Sequence, residues 1–164
     1  MNGTYLITFA CYGSHLPGQQ GIIDRQHNQV GARTLLASPQ RFAHAHASMA
    51  DKPYEMDSSR RAVVLKSIQH LCLRRSWQLL AAHVRVTHLH IIVEADSSPE
   101  RVMTAIKAFA SAELNKLGID SANRRRWARH GSTRYLWTPQ QLSTAIHYVA
   151  CNQGEPMALY VASR

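Results

Sequence analysis

The sequence predicts an α+β domain built on an antiparallel sheet, and three observations carry that expectation. Short runs alternate large apolar residues with others, as in Tyr5-Ile7-Phe9 set against Leu6-Thr8-Ala10, which is the period of a strand. Between such runs lie two longer stretches with apolar residues at helical spacing, each opened by a capping residue. Two of the strand-like runs, 78–86 and 88–93, are nearly contiguous and demand a tight hairpin at 85–87.

The elements follow in order. The first strand covers 5–11. A polar stretch rich in Gly, Gln, His and Pro runs from 12 to 57, and Ser38-Pro39 opens a short helix within it through residue 49. A loop of that length inside a compact domain marks a functional insertion. Asp57 or Ser58 caps a helix over 59–75, whose buried stripe is Val64, Leu65, Ile68, Leu71 and Cys72. Two strands follow. In the second of them Leu89, Ile91 and Val93 face one way, and His88, His90 and Ile92 the other. Ser98-Pro99 starts the next helix, with Val102, Ile106, Phe109 and Ala110 buried and Gly118 as its stop. Residues 124–130 read as a basic loop and 134–137 as a short strand. Thr138-Pro139-Gln140-Gln141 is a capping box that opens a last helix running to about 153, before Gly154. The order β-α-β-β-α-β is that of a ferredoxin-like antiparallel sheet with helices on one face, and the terminal helix is an addition. No repeat or boundary divides the 164 residues, so 1–164 reads as a single domain with the long loop inserted at about 12–57.

Composition narrows the function. With 45% apolar and 18% charged residues the chain can bury a core. Its 19 Lys and Arg against 10 Asp and Glu leave +9, which points to a polyanionic partner, nucleic acid first. No basic amphipathic helix with a broad apolar face argues for a membrane surface. Cys11, Cys72 and Cys151 are scattered, which suits a reducing compartment and argues against a disulfide frame or zinc ribbon. No run approaches the ~18 apolar residues of a membrane span and no segment reads as a secretory signal, so a cytoplasmic location is expected.

Chemistry gathers at two places. His88 and His90 are two apart in a strand and project side by side, a spacing that suits two ligands on one metal. Such a pair alone says little, since 10 histidines in this chain give about half of one His-x-His by chance. The setting says more: an imidazole within so apolar a strand needs a partner. His44-Ala45-His46 falls in the short helix or loop, where the two rings point apart. On the last helix Leu142, Ala145, Ile146 and Val149 form the core stripe, with Tyr148 at its edge and Asn152 one turn on. Gln153 shares that line only if the helix has already ended.

A His88-Leu89-His90 strand followed by a helix with Tyr148 and Asn152 resembles the HUH-type single-tyrosine transposases, among them the insertion-sequence and REP-associated tyrosine transposases. Tyr5-Leu6-Ile7-Thr8-Phe9 looks like that family's first strand, and Tyr148-Val149-Ala150-Cys151-Asn152-Gln153 like its tyrosine helix. Two departures stand out: Arg85-Val86-Thr87 replaces the usual Met-Pro-Asp/Asn turn, and Asn152-Gln153 replaces the Asn–Pro after the helix. The resemblance implies a metal-dependent single-stranded DNA endonuclease and strand transferase that recognises hairpin DNA. Tyr148 would be its nucleophile, leaving a 5′-phosphotyrosine. His88, His90 and Asn152, with Gln153 as the alternative third ligand, would hold Mn²⁺ or Mg²⁺. Relatives form homodimers in which the tyrosine helix serves either subunit.

A DNA-binding surface is expected from Arg124, Arg125, Arg126, Trp127, Arg129 and Arg134, cations mixed with an aromatic, with Lys107 behind them. Arg60, Arg61 and Arg101 are weaker candidates, and Leu136 or Trp137 is expected in the core. Two other classes compete: a metal phosphoesterase that uses water in place of Tyr148, and a non-catalytic domain that binds single-stranded nucleic acid.

Overall fold

The structure is a computed structural model that describes residues 2–14 and 36–163. Residues 15–35 of the long loop lie outside the described residues. The chain order is β1 (Gly3–Cys11), α1 (Pro39–Ala47), α2 (Ser58–Arg75), β2 (Gln78–Val84), β3 (His88–Ala95), α3 (Pro99–Leu117), β4 (Trp127–Tyr135), α4 (Pro139–Cys151) and β5 (Ala158–Val161). The strands form an antiparallel sheet in the order β4-β1-β3-β2-β5. The first four are arranged as a ferredoxin-like sheet requires.

The apolar alternation decides which face each helix covers. Tyr5, Ile7, Phe9 and Cys11 of β1 and Leu89, Ile91 and Val93 of β3 are buried against Val64, Ile68 and Leu71 of α2 and Val102, Ile106, Ala110 and Leu114 of α3. Each Val, Leu, Ile or Phe among them contributes roughly 1.5–3 kcal/mol by leaving water. The opposite face carries a smaller cluster, in which Ala81 and Ile92 of the sheet meet Leu136 and, from α4, Ala145 and Val149. The terminal helix therefore makes a third layer.

Helix ends fall where the capping residues put them. Ser38, Asp57, Ser98 and Thr138 each accept the backbone N–H three residues on, and Gly118 closes α3 at a φ of 74°. The hairpin turn is at 85–87, closed by the Arg85 N–H donating to the His88 carbonyl at 2.9 Å.

Three elements differ from the sequence expectation. Strand β4 begins at Trp127, so the expected basic loop is largely an edge strand paired with β1. Its charged residues hid it, because an edge strand facing water on much of its surface lacks apolar alternation. Helix α4 ends at Cys151, two residues early. The short strand β5 was not foreseen; it pairs with β2 through only four residues. Among the described residues no helix is long and apolar enough to cross a membrane.

A buried ionic cluster ties the α3–β4 connection to α2. Asp120 accepts from Arg60 Nη2 at 2.7 Å, Tyr54 Oη at 2.6 Å and Arg126 Nε at 3.2 Å. Burial pushes the Asp120 carboxyl up, but those three hydrogen bonds overcome it and hold its pKa at about 2. Its stabilisation is complete above the ordinary carboxylate value near 3.8 and is lost as pH falls toward about 2.

Asp120→Ala is expected to lower stability at pH 7 by ~3–5 kcal/mol, since it strands a buried guanidinium. In urea titrations at pH 7 and pH 2.5 the gap between variant and wild type should shrink at the lower pH, and a gap that does not change with pH would contradict this account. Gly131 sits opposite Phe9 with no room for a side chain: a Cβ would lie 2.6 Å from the Thr8 carbonyl oxygen and 2.9 Å from Phe9 Cβ. Gly131→Ala should cost ~1–3 kcal/mol of unfolding free energy by forcing β4 away from β1. An unchanged urea midpoint would show that the strands yield freely.

Candidate active site

The sheet face beneath α4 carries the polar residues. One row crosses four strands as Ser132, Thr8, His90 and His83, because β1, β3, β4 and β2 pair these residues in register. His90 is buried, and both its ring nitrogens are engaged: Nε2 lies 3.0 Å from Gln153 Oε1 and Nδ1 lies 2.8 Å from Thr8 Oγ1. The Gln153 oxygen can only accept, so Nε2–H donates to it and the Thr8 hydroxyl donates to Nδ1. Burial, and then the neighbouring His88, push the His90 pKa down to about 4. The ring is therefore neutral at pH 7, with its one nitrogen lone pair, on Nδ1, accepting from Thr8. His88 is half-buried, one pleat along, with its ring centroid 5.1 Å from that of His90.

Helix α4 brings the tyrosine to this pair. The Thr138 hydroxyl accepts from the Gln141 N–H, and the Gln141 side chain accepts from the Thr138 N–H, closing the foreseen capping box. Ala145 and Val149 anchor the helix to the sheet. Tyr148, beside Val149, falls at the margin with 41% of its surface exposed, and its ring centroid is 5.5 Å from that of His90.

The helix then stops. Asn152 is its C-cap, exposed, with its backbone N–H on the Tyr148 carbonyl. Because the chain has left the helical path, Gln153 turns back over the last turn and reaches His90, the alternative weighed from the sequence. Among the described residues, the side-chain partners of the His90 ring are Thr8 and Gln153, not Asn152.

Sequence reasoning missed His83. This β2 residue is fully buried, its Nδ1–H donating to the Val149 carbonyl at 3.0 Å and its Nε2 accepting the Met157 N–H at 3.1 Å. Burial holds its pKa below the ordinary histidine value. Beside it, Arg85 Nη1 donates to the Glu155 carbonyl at 2.9 Å. A third histidine within the apolar run of β2, on the face shared with His90, was the available signal.

These groups open on one cleft. A space of about 510 Å³ is bounded by Thr8, His88, His90, Ser132, Tyr148 and Gln153, and Arg134 flanks the adjoining hollow beside Tyr148 and Thr144. Among the described residues no three His, Cys, Asp or Glu side chains converge on a point, and the nitrogen and amide donors that line this cleft are the imidazoles of His88, His90 and His130 and the carboxamide of Gln153. Two unprotonated imidazoles, His88 and His90, with the Gln153 carboxamide would make a set chemically suited to a divalent ion of intermediate hardness. A separate groove between α4 and β5, lined by Leu80, Leu142, Ile146 and Val161, offers apolar surface without a titratable side chain.

The expected DNA surface divides. Arg126 is 3% exposed and bound to Asp120 and Asn115, so it belongs to the core. Arg124 donates to the Lys52 and Pro53 carbonyls and pairs with Asp51, fixing the long loop. The Trp127 indole donates to Lys107 O and Ser111 Oγ and packs edge-on against Phe9, so it is unavailable for stacking on a base. Lys107 donates to the Ala128 and His130 carbonyls over the Phe9 ring. Arg60 and Arg61 are likewise held by Asp120 and the Met56 carbonyl. Basic residues next to a strand edge satisfy buried acceptors as readily as phosphates, and spacing alone does not separate the two. Arg125, Arg129 and Arg134 remain exposed. Leu136 is buried as expected, whereas Trp137 is 77% exposed.

No family model matches the sequence, and no curated protein does. In fold the chain is similar to a solved structure of the REP-associated tyrosine transposase bound to a REP hairpin, with a TM-score of 0.53 at 12% identity over 92% of this chain. It spans 66% of that chain's length. The likeness is one of fold, and it agrees with the ferredoxin-like sheet expected from the sequence.

Proposed function

We propose that this chain is a single-tyrosine DNA nicking and joining enzyme acting on single-stranded or hairpin DNA, with Tyr148 as nucleophile and Mn²⁺ or Mg²⁺ held by His88, His90 and Gln153. One observation carries the reading: a half-exposed tyrosine lies against a buried neutral imidazole that is bonded to the carboxamide following its own helix, and all three open on one cleft. The fold likeness to a hairpin-bound transposase supports it.

The residues fit the chemistry. In the other tautomer of His90 the Thr8 hydroxyl would accept a hydrogen bond from Nδ1–H, which leaves the Nε2 lone pair facing the cleft. A divalent ion at His88, His90 and Gln153 would supply Lewis acidity toward a non-bridging phosphate oxygen. Tyr148 Oη attacks the phosphorus, its proton passing to solvent, and the P–O3′ bond breaks. The departing 3′ oxygen takes up a proton and becomes a free 3′-hydroxyl, while the 5′ phosphate stays on Tyr148. The phosphotyrosine keeps a diester linkage, so a later 3′-hydroxyl can displace the phenol and rejoin strands without another energy source. The exposed Arg134 beside the cleft supplies positive charge toward the phosphate.

Incubated with a labelled single-stranded hairpin and Mn²⁺, wild type should give an SDS-resistant protein–DNA band that is absent in Tyr148→Phe and in EDTA. Cleavage that survives Tyr148→Phe would replace this reading with a phosphoesterase that uses water. For the third ligand, Gln153→Ala should weaken Mn²⁺ binding by roughly 10- to 100-fold, the range seen when groups that support a metal site are removed. Asn152→Ala should leave it within about twofold by calorimetry. The reverse order of effects would return the role to Asn152.

A further inference from the structure

An exposed aromatic pair stands at the end of β4, on the same edge strand that borders the active site. Tyr135 and Trp137 stack at 4.9 Å between centroids with planes 8° apart, and Tyr5 braces Tyr135 edge-on at 5.0 Å. The backbone around them is fixed. Leu136 N–H donates to the Thr4 carbonyl at 2.8 Å, and Trp137 N–H donates to Gln141 Oε1 at 2.7 Å, extending the α4 cap. Trp137 is nevertheless 77% exposed, so its outer π-face is open to water while its inner face is held by tyrosine. Folding gains little from so large an exposed indole, whereas a planar ligand would gain a rigid surface already paid for in entropy.

Charge selects the ligand. Arg134, one residue before the pair, is exposed, makes no ion pair among the described residues, and flanks the hollow that holds His90 and Tyr148; it pairs with Leu6 on that face, whereas Tyr135 pairs with Tyr5 on the other, so a strand that meets both wraps the outer edge of β4. Ser132, on the active-site row, is five residues from Trp137, on the order of 15 Å at strand rise. A cation followed by an open stacked ring, at a few nucleotides' reach from the cleft, is the pattern that holds a single strand by phosphate and base together.

We propose that Trp137, backed by Tyr135, is a stacking platform for one unpaired base of a single-stranded DNA whose neighbouring phosphate is held by Arg134. The inference rests on the reading of the cleft as a DNA-cutting site, but stacking requires neither metal nor chemistry. The platform is expected to be indifferent to base identity, because every base presents a π-face.

The test is titration of the full chain with the oligonucleotide (dT)₁₂ in EDTA, followed by tryptophan emission and by anisotropy of a labelled strand. Wild type should bind with quenching. Trp137→Ala should abolish most of the quenching and weaken binding about 5- to 100-fold, the worth of one stacked base. Trp137→Phe should fall between the two, and Leu73→Ala, at an exposed position on α2, should bind as wild type. Wild-type failure to bind (dT)₁₂, or equal binding by Trp137→Ala, overturns the platform. So does self-association that Trp137→Ala abolishes, which would assign the pair to a second copy of the chain. If the platform fails while Tyr148 still forms its adduct, only the platform falls. If the strand stacks on Trp137 and no adduct forms, the platform stands and the nuclease reading falls.

Discussion

The candidate site hangs on one buried imidazole, that of His83. An α-helix ends with carbonyls that have lost their partners, and a buried polar ring cannot be left unbonded. His83 resolves both problems at once, donating to the Val149 carbonyl in the last turn of α4 and accepting from the Met157 N–H after the reversal. The chain between those two points is thereby held to β2 at both ends. Tyr148 lies immediately before the first anchor and Gln153 between the two. The positions of the tyrosine and the carboxamide thus follow from a residue that faces neither.

The sheet serves two ends through its two faces. Toward α2 and α3 it is apolar and closely packed, which gives the rigidity that a positioned pair of imidazoles needs. Toward α4 it carries the row Ser132, Thr8, His90 and His83, and only a small apolar cluster holds the helix down. Alternation along β3 makes this possible: Leu89 and Ile91 anchor the strand in the main core while His88 and His90 rise from the other side.

Much of this was legible in the sequence, and the rest was lost for identifiable reasons. The strands with one apolar face, the capping residues and the hairpin turn act locally, so α2, β2, β3, α3 and the start of α4 fell close to their expected places. The His88 and His90 pair and the edge position of Tyr148 followed from the two periodicities. Strand β4 was hidden because its partner, β1, is more than a hundred residues away and its own side chains are mostly polar. Gln153 depended on where α4 stops, two residues before the expected end, at the Asn152 cap ahead of the left-handed Gly154. Arg126 and Trp127 looked like a nucleic-acid patch because basic and aromatic residues also build interiors, where Asp120 and the Lys107 carbonyl satisfy them.

The anchors of the segment from Val149 to Met157 have a consequence for how such a site could be altered. His83 and Arg85 grip it through main-chain atoms at residues 149, 155 and 157. Main-chain grips are indifferent to side-chain identity, so the segment behaves as a cassette. Apart from Gln153, whose side chain reaches His90, and Gly154, at a φ of 77°, residues between the grips can be exchanged without unfastening it, and the distance of Tyr148 from the imidazole pair survives the exchange. Its length is another matter: adding or removing a single residue would put the carboxamide out of phase with His90 and leave one grip empty. Drift in composition is tolerated at the remaining positions, and drift in spacing is not.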